Sequence, residues 1–160
     1  MISPELLRRY PFFGFMSDEQ LRKLAMAADE EAVRAGVTLL EEGKPADTLF
    51  FLLEGSIELL YRVGESRKPE TMRELPVGNI NPGEPFGISA VIEPNVLTAS
   101  VRANMDCRVI RIPAASIQKL CDEDKDFALG LMDQFASVAI QRLNATRVQL
   151  AAAWAPTLVK

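Results

Sequence analysis

Apolar positions along this chain change their period twice, and the changes divide it into three parts. Through residue 30 they recur at helical spacing. Residues 3–9 read as a short helix, with Ser3 as N-cap and Pro4 at the first helical position. An aromatic turn follows, Tyr10-Pro11-Phe12-Phe13-Gly14-Phe15. Ser17 and Gln20 then stand at capping-box spacing, and Leu21, Leu24, Ala25 and Ala28 continue at helical period, so a second helix is expected to end near Asp29. From Glu31 onward short β runs take over. Strands are predicted over 31–34, 38–41, 48–54, 56–63, 71–77, 97–103 and 107–113, separated by glycine-bearing or charged turns. The run TLFFLLE at 48–54 is almost wholly apolar, as in a strand covered on both faces.

After residue 113 the helical period returns. A short helix is predicted over 114–121 and a long one over 124–155, with no Gly or Pro after Gly130. At 1.5 Å per residue, ~28 residues make a rod ~40 Å long, more than a small β-domain can cover on every side. Phe127, Leu131, Phe135, Val138, Arg142, Ala145 and Val148 run along it at helical steps, and Leu143, Leu150 and Trp154 add apolar surface elsewhere. Packing on the helix's own domain accounts for one side. Apolar residues on more than one side point to a second chain, so a homodimer through a parallel pair of 124–155 helices is expected.

The fold class that follows is α+β. A jelly-roll β-roll (double-stranded β-helix) spans 31–113, N-terminal helices occupy 1–30, and C-terminal helices occupy 114–155 of one 160-residue domain. Composition is that of an ordinary globular protein, with 48% apolar and 25% charged residues. Net charge is −4, which does not suit a general nucleic-acid surface. No apolar run reaches the ~18 residues of a membrane span, and no export signal opens the chain, so a cytoplasmic location is expected. The two cysteines, Cys107 and Cys121, fit reduced buried thiols. There is no histidine. That removes His-based general-base, relay and metal chemistry, and with it a cupin-type enzyme. No catalytic group and no metal site are assigned, and the chain is read as non-enzymatic.

The informative stretch is 83–103, GEPFGISAVIEPNVLTASVRA. A glycine turn leads into Gly-Ile-Ser-Ala, which can open a short helix, and the free N–H groups of a helix start suit an anion. Gly36, Gly43 and Gly55 read as turn glycines, needed with or without a ligand. Gly87 has the further use of letting backbone approach a ligand.

Residues 36–43 (GVTLLEEG), then 46–57 (ADTLFFLLEGSI), with eleven residues between Gly43 and Gly55, resemble the β-roll of the cyclic-nucleotide-binding domain family, and within it the bacterial catabolite-activator type. Gly83-x-x-Phe86-Gly87 and Thr98-Ala99-Ser100-Val101-Arg102-Ala103 resemble that family's phosphate-binding cassette and the strand after it. Pro11-Phe12-Phe13, Ser17 and Gln20-Leu21 resemble its lead-in. The likeness covers roughly residues 5–155. It implies a candidate pocket built from Phe86, Gly87, Ile88, Ser89, Ala90, Leu97, Thr98 and Ala99, overlooked by Thr146 and Arg147 of the long helix. The family places a glutamate for the ribose hydroxyl where this chain has Ile88, and an arginine for the cyclic phosphate where it has Leu97. A cyclic nucleotide is therefore a doubtful cofactor. Hydrogen bonds to charged groups contribute ~1.5–3 kcal/mol each, so losing both could weaken binding by three or more orders of magnitude. Amides of Ser89 and Ala90 and the Thr98 hydroxyl could return part of this. The family's DNA-reading members continue past the long helix, and as this chain stands no DNA partner is expected. The expected function is a regulatory effector sensor acting on a protein partner in trans. The alternative is a ligand-free dimerisation module. A cavity well over ~300 Å³ would favour the sensor, and a closed core the module.

Overall fold

A computed structural model describes residues 1–158. Helix α1 (Pro4–Arg8) is capped by Ser3, whose hydroxyl accepts from the Glu5 amide. A 3₁₀ turn (Pro11–Phe13) leads to α2 (Asp18–Ala27), where Ser17 and Gln20 form both halves of a capping box. These starts agree with the sequence. The end of α2 comes earlier than Asp29, because Ala28 is already extended and strand β1 begins one residue later.

Eight antiparallel strands make two four-stranded sheets. The first orders β1 (Asp29–Val33), β8 (Cys107–Pro113), β3 (Thr48–Glu54) and β6 (Pro85–Phe86). The second orders β2 (Thr38–Leu40), β7 (Ser100–Ala103), β4 (Ile57–Val63) and β5 (Arg73–Ile80). This is the jelly-roll arrangement expected from the sequence. Two predicted strands shift. The 71–77 strand starts at Arg73, after a 3₁₀ turn, and runs on to Ile80 because 57–63 pairs with it along its length. The 97–103 strand keeps only its second half. Leu97 instead exchanges backbone hydrogen bonds with the Gly43–Lys44 turn, at 2.8 and 2.9 Å, which takes it out of the ladder.

Strand β3 stands between two apolar clusters. Leu49, Phe51 and Leu53 pack with α1, α2 and the C-terminal helices, while Phe50 and Leu52 face the interior of the roll with Ile57, Ile80, Phe86, Val101 and Val109. That is why its sequence lacks polar alternation. Gly55 ends it at φ +104°, where a Cβ would lie 2.5 Å from Cys107 Sγ, so no other residue fits this turn. Both thiols are free; Cys107 is buried, and Cys121 only partly so.

Helix α3 (Ala114–Glu123) extends two residues beyond its predicted end, and α4 (Lys125–Leu158) runs past Ala155 through Pro156. Pro156 has no N–H for the Ala152 carbonyl, so it removes one ladder bond two residues before the helix ends. Asp124 starts α4: its Oδ1 accepts from the Phe127 amide at 3.1 Å, and its Oδ2 accepts from Gln20 Nε2 at 2.9 Å. Phe127, Leu131, Phe135 and Val138 are buried against the N-terminal helices and β3. Beyond Arg142 every described residue of α4 is exposed.

Candidate functional site

The cassette is one tight turn. Gly87 lies in the left-handed region at φ +72°, and a Cβ there would sit 3.0 Å from both the Leu40 side chain and the Thr48 carbonyl. The glycine is thus required by the turn and by packing against β2 and β3. Ile88–Ala90 form a single 3₁₀ turn instead of a longer helix. The Ala90 amide donates to the Gly87 carbonyl at 3.0 Å, so it is not free for a ligand as the sequence had suggested. Asn95 fixes the far side: its Nδ2 donates to the carbonyls of Ser89 and Ala90 at 3.0 and 3.1 Å.

In front of this turn is a hollow of about 160 Å³. Phe86, Gly87, Ile88, Ser89, Leu97, Thr98 and Ala99 line it, together with Leu40, Leu59, Val101 and Arg142. Seven of the ten residues picked from the sequence thus meet at one place. Ala90 lies beneath, in a small cluster with Ala46 and Leu97. Thr146 and Arg147 do not line the hollow. Thr146 donates its hydroxyl to the Arg142 carbonyl at 2.9 Å, four residues back. Arg147, at about 100° per residue, lies roughly 140° around the helix from Arg142 and is exposed. Arg102, which follows the cassette in sequence, is also absent from the hollow. It pairs with Glu74 at 2.9 Å on the outer surface.

The charged group of the site is Arg142, which sequence reasoning counted only as a member of the helical stripe. Position carries the signal: an arginine at the end of Phe-Leu-Phe-Val has to go where that stripe points. Its guanidinium donates through Nη2 to the carbonyl of Pro85, on the edge strand leading into the cassette. Its Nε is buried without a partner. Burial pushes this guanidinium below its ordinary pKa, and Glu84 opposes that shift from nearby. Glu84 is itself occupied, accepting from the Asn81 amide at 2.8 Å.

Known proteins share this frame. The family model described as "Cyclic nucleotide-binding domain" matches residues 30–124. This chain belongs to the cyclic nucleotide-binding domain family. The match takes in the roll and α3 and stops where α4 begins, so the helix carrying Arg142 lies outside it. The chain is 28% identical over 122 residues to the cAMP-activated global transcriptional regulator Vfr of Pseudomonas aeruginosa, covering 74% of this chain and 54% of Vfr. It is 30% identical over 120 residues to a cAMP-dependent protein kinase regulatory subunit of Aspergillus fumigatus, covering 75% of this chain and 27% of that protein. The chain thus spans about half or less of these curated relatives. A solved structure from Geobacter metallireducens GS-15, named for cyclic-nucleotide binding, superposes with a TM-score of 0.77 at 35% identity, covering 89% of this chain and 99% of that one. Homology to such regulators supports a regulatory sensing domain. Among the described residues no helix is long and apolar enough to cross a membrane.

Proposed function

We propose that this chain is a non-enzymatic regulatory domain that senses a small effector in the hollow beside Gly87, assembles as a homodimer through α4, and acts on a separate protein in trans. One observation carries the reading: the family's cassette turn opens on a hollow lined mainly by aliphatic side chains and holding one arginine supplied by α4. Cyclic AMP and cyclic GMP suit it poorly. Ile88 and Leu97 stand where the resembling family uses glutamate and arginine, and both line the hollow as aliphatic surface. Its volume of about 160 Å³ is also below the ~300 Å³ lower range for drug-sized ligands.

That small volume favours a second reading, a dimerisation module without ligand. The unpartnered Arg142 Nε speaks against it, because a filled structural core rarely leaves a buried N–H unsatisfied. Thermal unfolding with and without millimolar cyclic AMP and cyclic GMP tests the proposal. A ligand at ~100 times its Kd stabilises by ~2.7 kcal/mol, a plain shift in a melt. The proposal predicts no saturable rise with either nucleotide. A clear rise would make the chain an ordinary cyclic-nucleotide sensor despite Ile88 and Leu97.

A further inference from the structure

Arg22 and Arg73, like Arg142, donate to backbone carbonyls, but Arg142 alone among the described residues has a side-chain nitrogen buried without a partner. Arg8, Arg62, Arg102, Arg108 and Arg111 each lie on a carboxylate at the surface. Arg142 is the last residue of α4 that the roll partly covers, and among the described residues no carboxylate lies within ion-pair distance of it. One of its five N–H donors meets the Pro85 carbonyl, and Nε meets nothing. This guanidinium is partly withdrawn from water, with the Glu84 carboxylate near enough to act on its charge but not in ion-pair contact, and a planar oxyanion is the partner its fork matches.

The walls of the hollow restrict that oxyanion further. Leu40, Leu59, Leu97 and Val101 are aliphatic, and the other polar side chains of the lining are those of Ser89 and Thr98. A volume of about 160 Å³ equals the share of about five liquid waters. It accepts a head group and a short hydrocarbon body, not a nucleotide.

Resting on the sensor reading above, we propose that this hollow binds a short aliphatic carboxylate. Its carboxylate pairs with Arg142 of the long helix, and its hydrocarbon end lies against Leu40, Leu59 and Leu97. The selecting cation thus comes from α4 and not from the roll. A ligand held this way bridges the two, because Arg142 already touches the Pro85 carbonyl beside the cassette.

The test is a titration followed by two-dimensional ¹⁵N NMR, with sodium butyrate, sodium phosphate, neutral butyramide and cyclic AMP, each against sodium chloride at equal ionic strength. Butyrate is expected to shift the amides of Gly87, Ile88 and Ser89 and the Arg142 Nε–H saturably in the millimolar range. Butyramide is expected to shift none of them. Arg142→Gln is expected to weaken butyrate by about tenfold or more, the equivalent of one charge-assisted hydrogen bond. The amide dispersion of that variant reports whether it is folded. Arg142→Lys, which keeps the charge and loses the fork, is expected to fall between the two. No saturable butyrate shift in folded wild-type protein overturns the proposal, as does equal butyrate affinity in a folded Arg142→Gln variant. Phosphate binding tighter than butyrate overturns it too. A saturable response to cyclic AMP that survives Arg142→Gln also overturns it, while leaving a sensing role intact.

Discussion

The long helix presents two apolar faces with very different surroundings. At about 100° per residue, Phe127, Leu131, Phe135, Val138 and Arg142 share one sector of roughly 80°. Leu129, Met132, Ile140, Leu143, Leu150, Trp154 and Leu158 share another, centred about 140° away. The four apolar members of the first face are all buried by the chain's own roll and N-terminal helices. The second is bare, with Leu129 73%, Ile140 60% and Trp154 61% exposed. A helix serving one domain needs one stripe. This one carries a second, continuous over most of its length, and Arg147 lies within it. The inner face ties the helix to the domain and ends in the cation of the pocket. The homodimer proposed above would use the outer face.

The contrast can be broken from either side. Phe127→Ala should have the largest effect on folding. Its ring is 1% exposed and lies 6.3 Å from the Phe15 ring, so truncation should cost about 3–5 kcal/mol in denaturant unfolding. Next comes the start of the same face. Gln20 and the Phe127 amide hold the Asp124 carboxyl below its ordinary pKa. A depressed carboxylate stabilises the fold above its unfolded pKa, and the gain is lost as pH falls through the folded value. Asp124→Asn should therefore be less stable than wild type at neutral pH, and the two should converge in acid; a pH series of melts checks this.

Arg142→Leu should move stability by no more than about 1 kcal/mol either way, since an apolar residue removes the charge that lacks an ion pair while leaving the Pro85 carbonyl without its donor. Chemical denaturation of wild type and this variant side by side measures the difference. The smallest effect belongs to the outer face. Leu150→Ala, at a side chain 58% exposed, should change unfolding of the dilute single chain by under about 0.5 kcal/mol.

The same comparison explains what could be read from the sequence. Capping at Ser3 and Ser17, the doubly covered run 48–54 and the turn glycines each follow from local chemistry, so the roll and its helices were legible from one chain. The cassette residues were legible too, because turn and lining are contiguous in sequence. Strand 97–103 was overextended because Leu97 pairs with the distant turn at Gly43–Lys44, a contact that no local period announces. Arg142 was passed over for a related reason. Its meaning depends on which face of α4 meets the roll, and from two apolar faces the sequence alone does not choose. Arg147, five residues on, is the charge the resemblance sets over the pocket, and it falls on the other face.

The most direct measurement of the two-face account is the mass of the chain in solution. Sedimentation equilibrium of wild type and Leu143→Glu, over a wide range of concentration, puts a charge on the outer face without touching the pocket. The account predicts twice the 17.7 kDa chain mass for wild type and the single-chain mass for the variant, with both folded. Wild type sedimenting as a single chain at every concentration, or an undiminished dimer for Leu143→Glu, would contradict it.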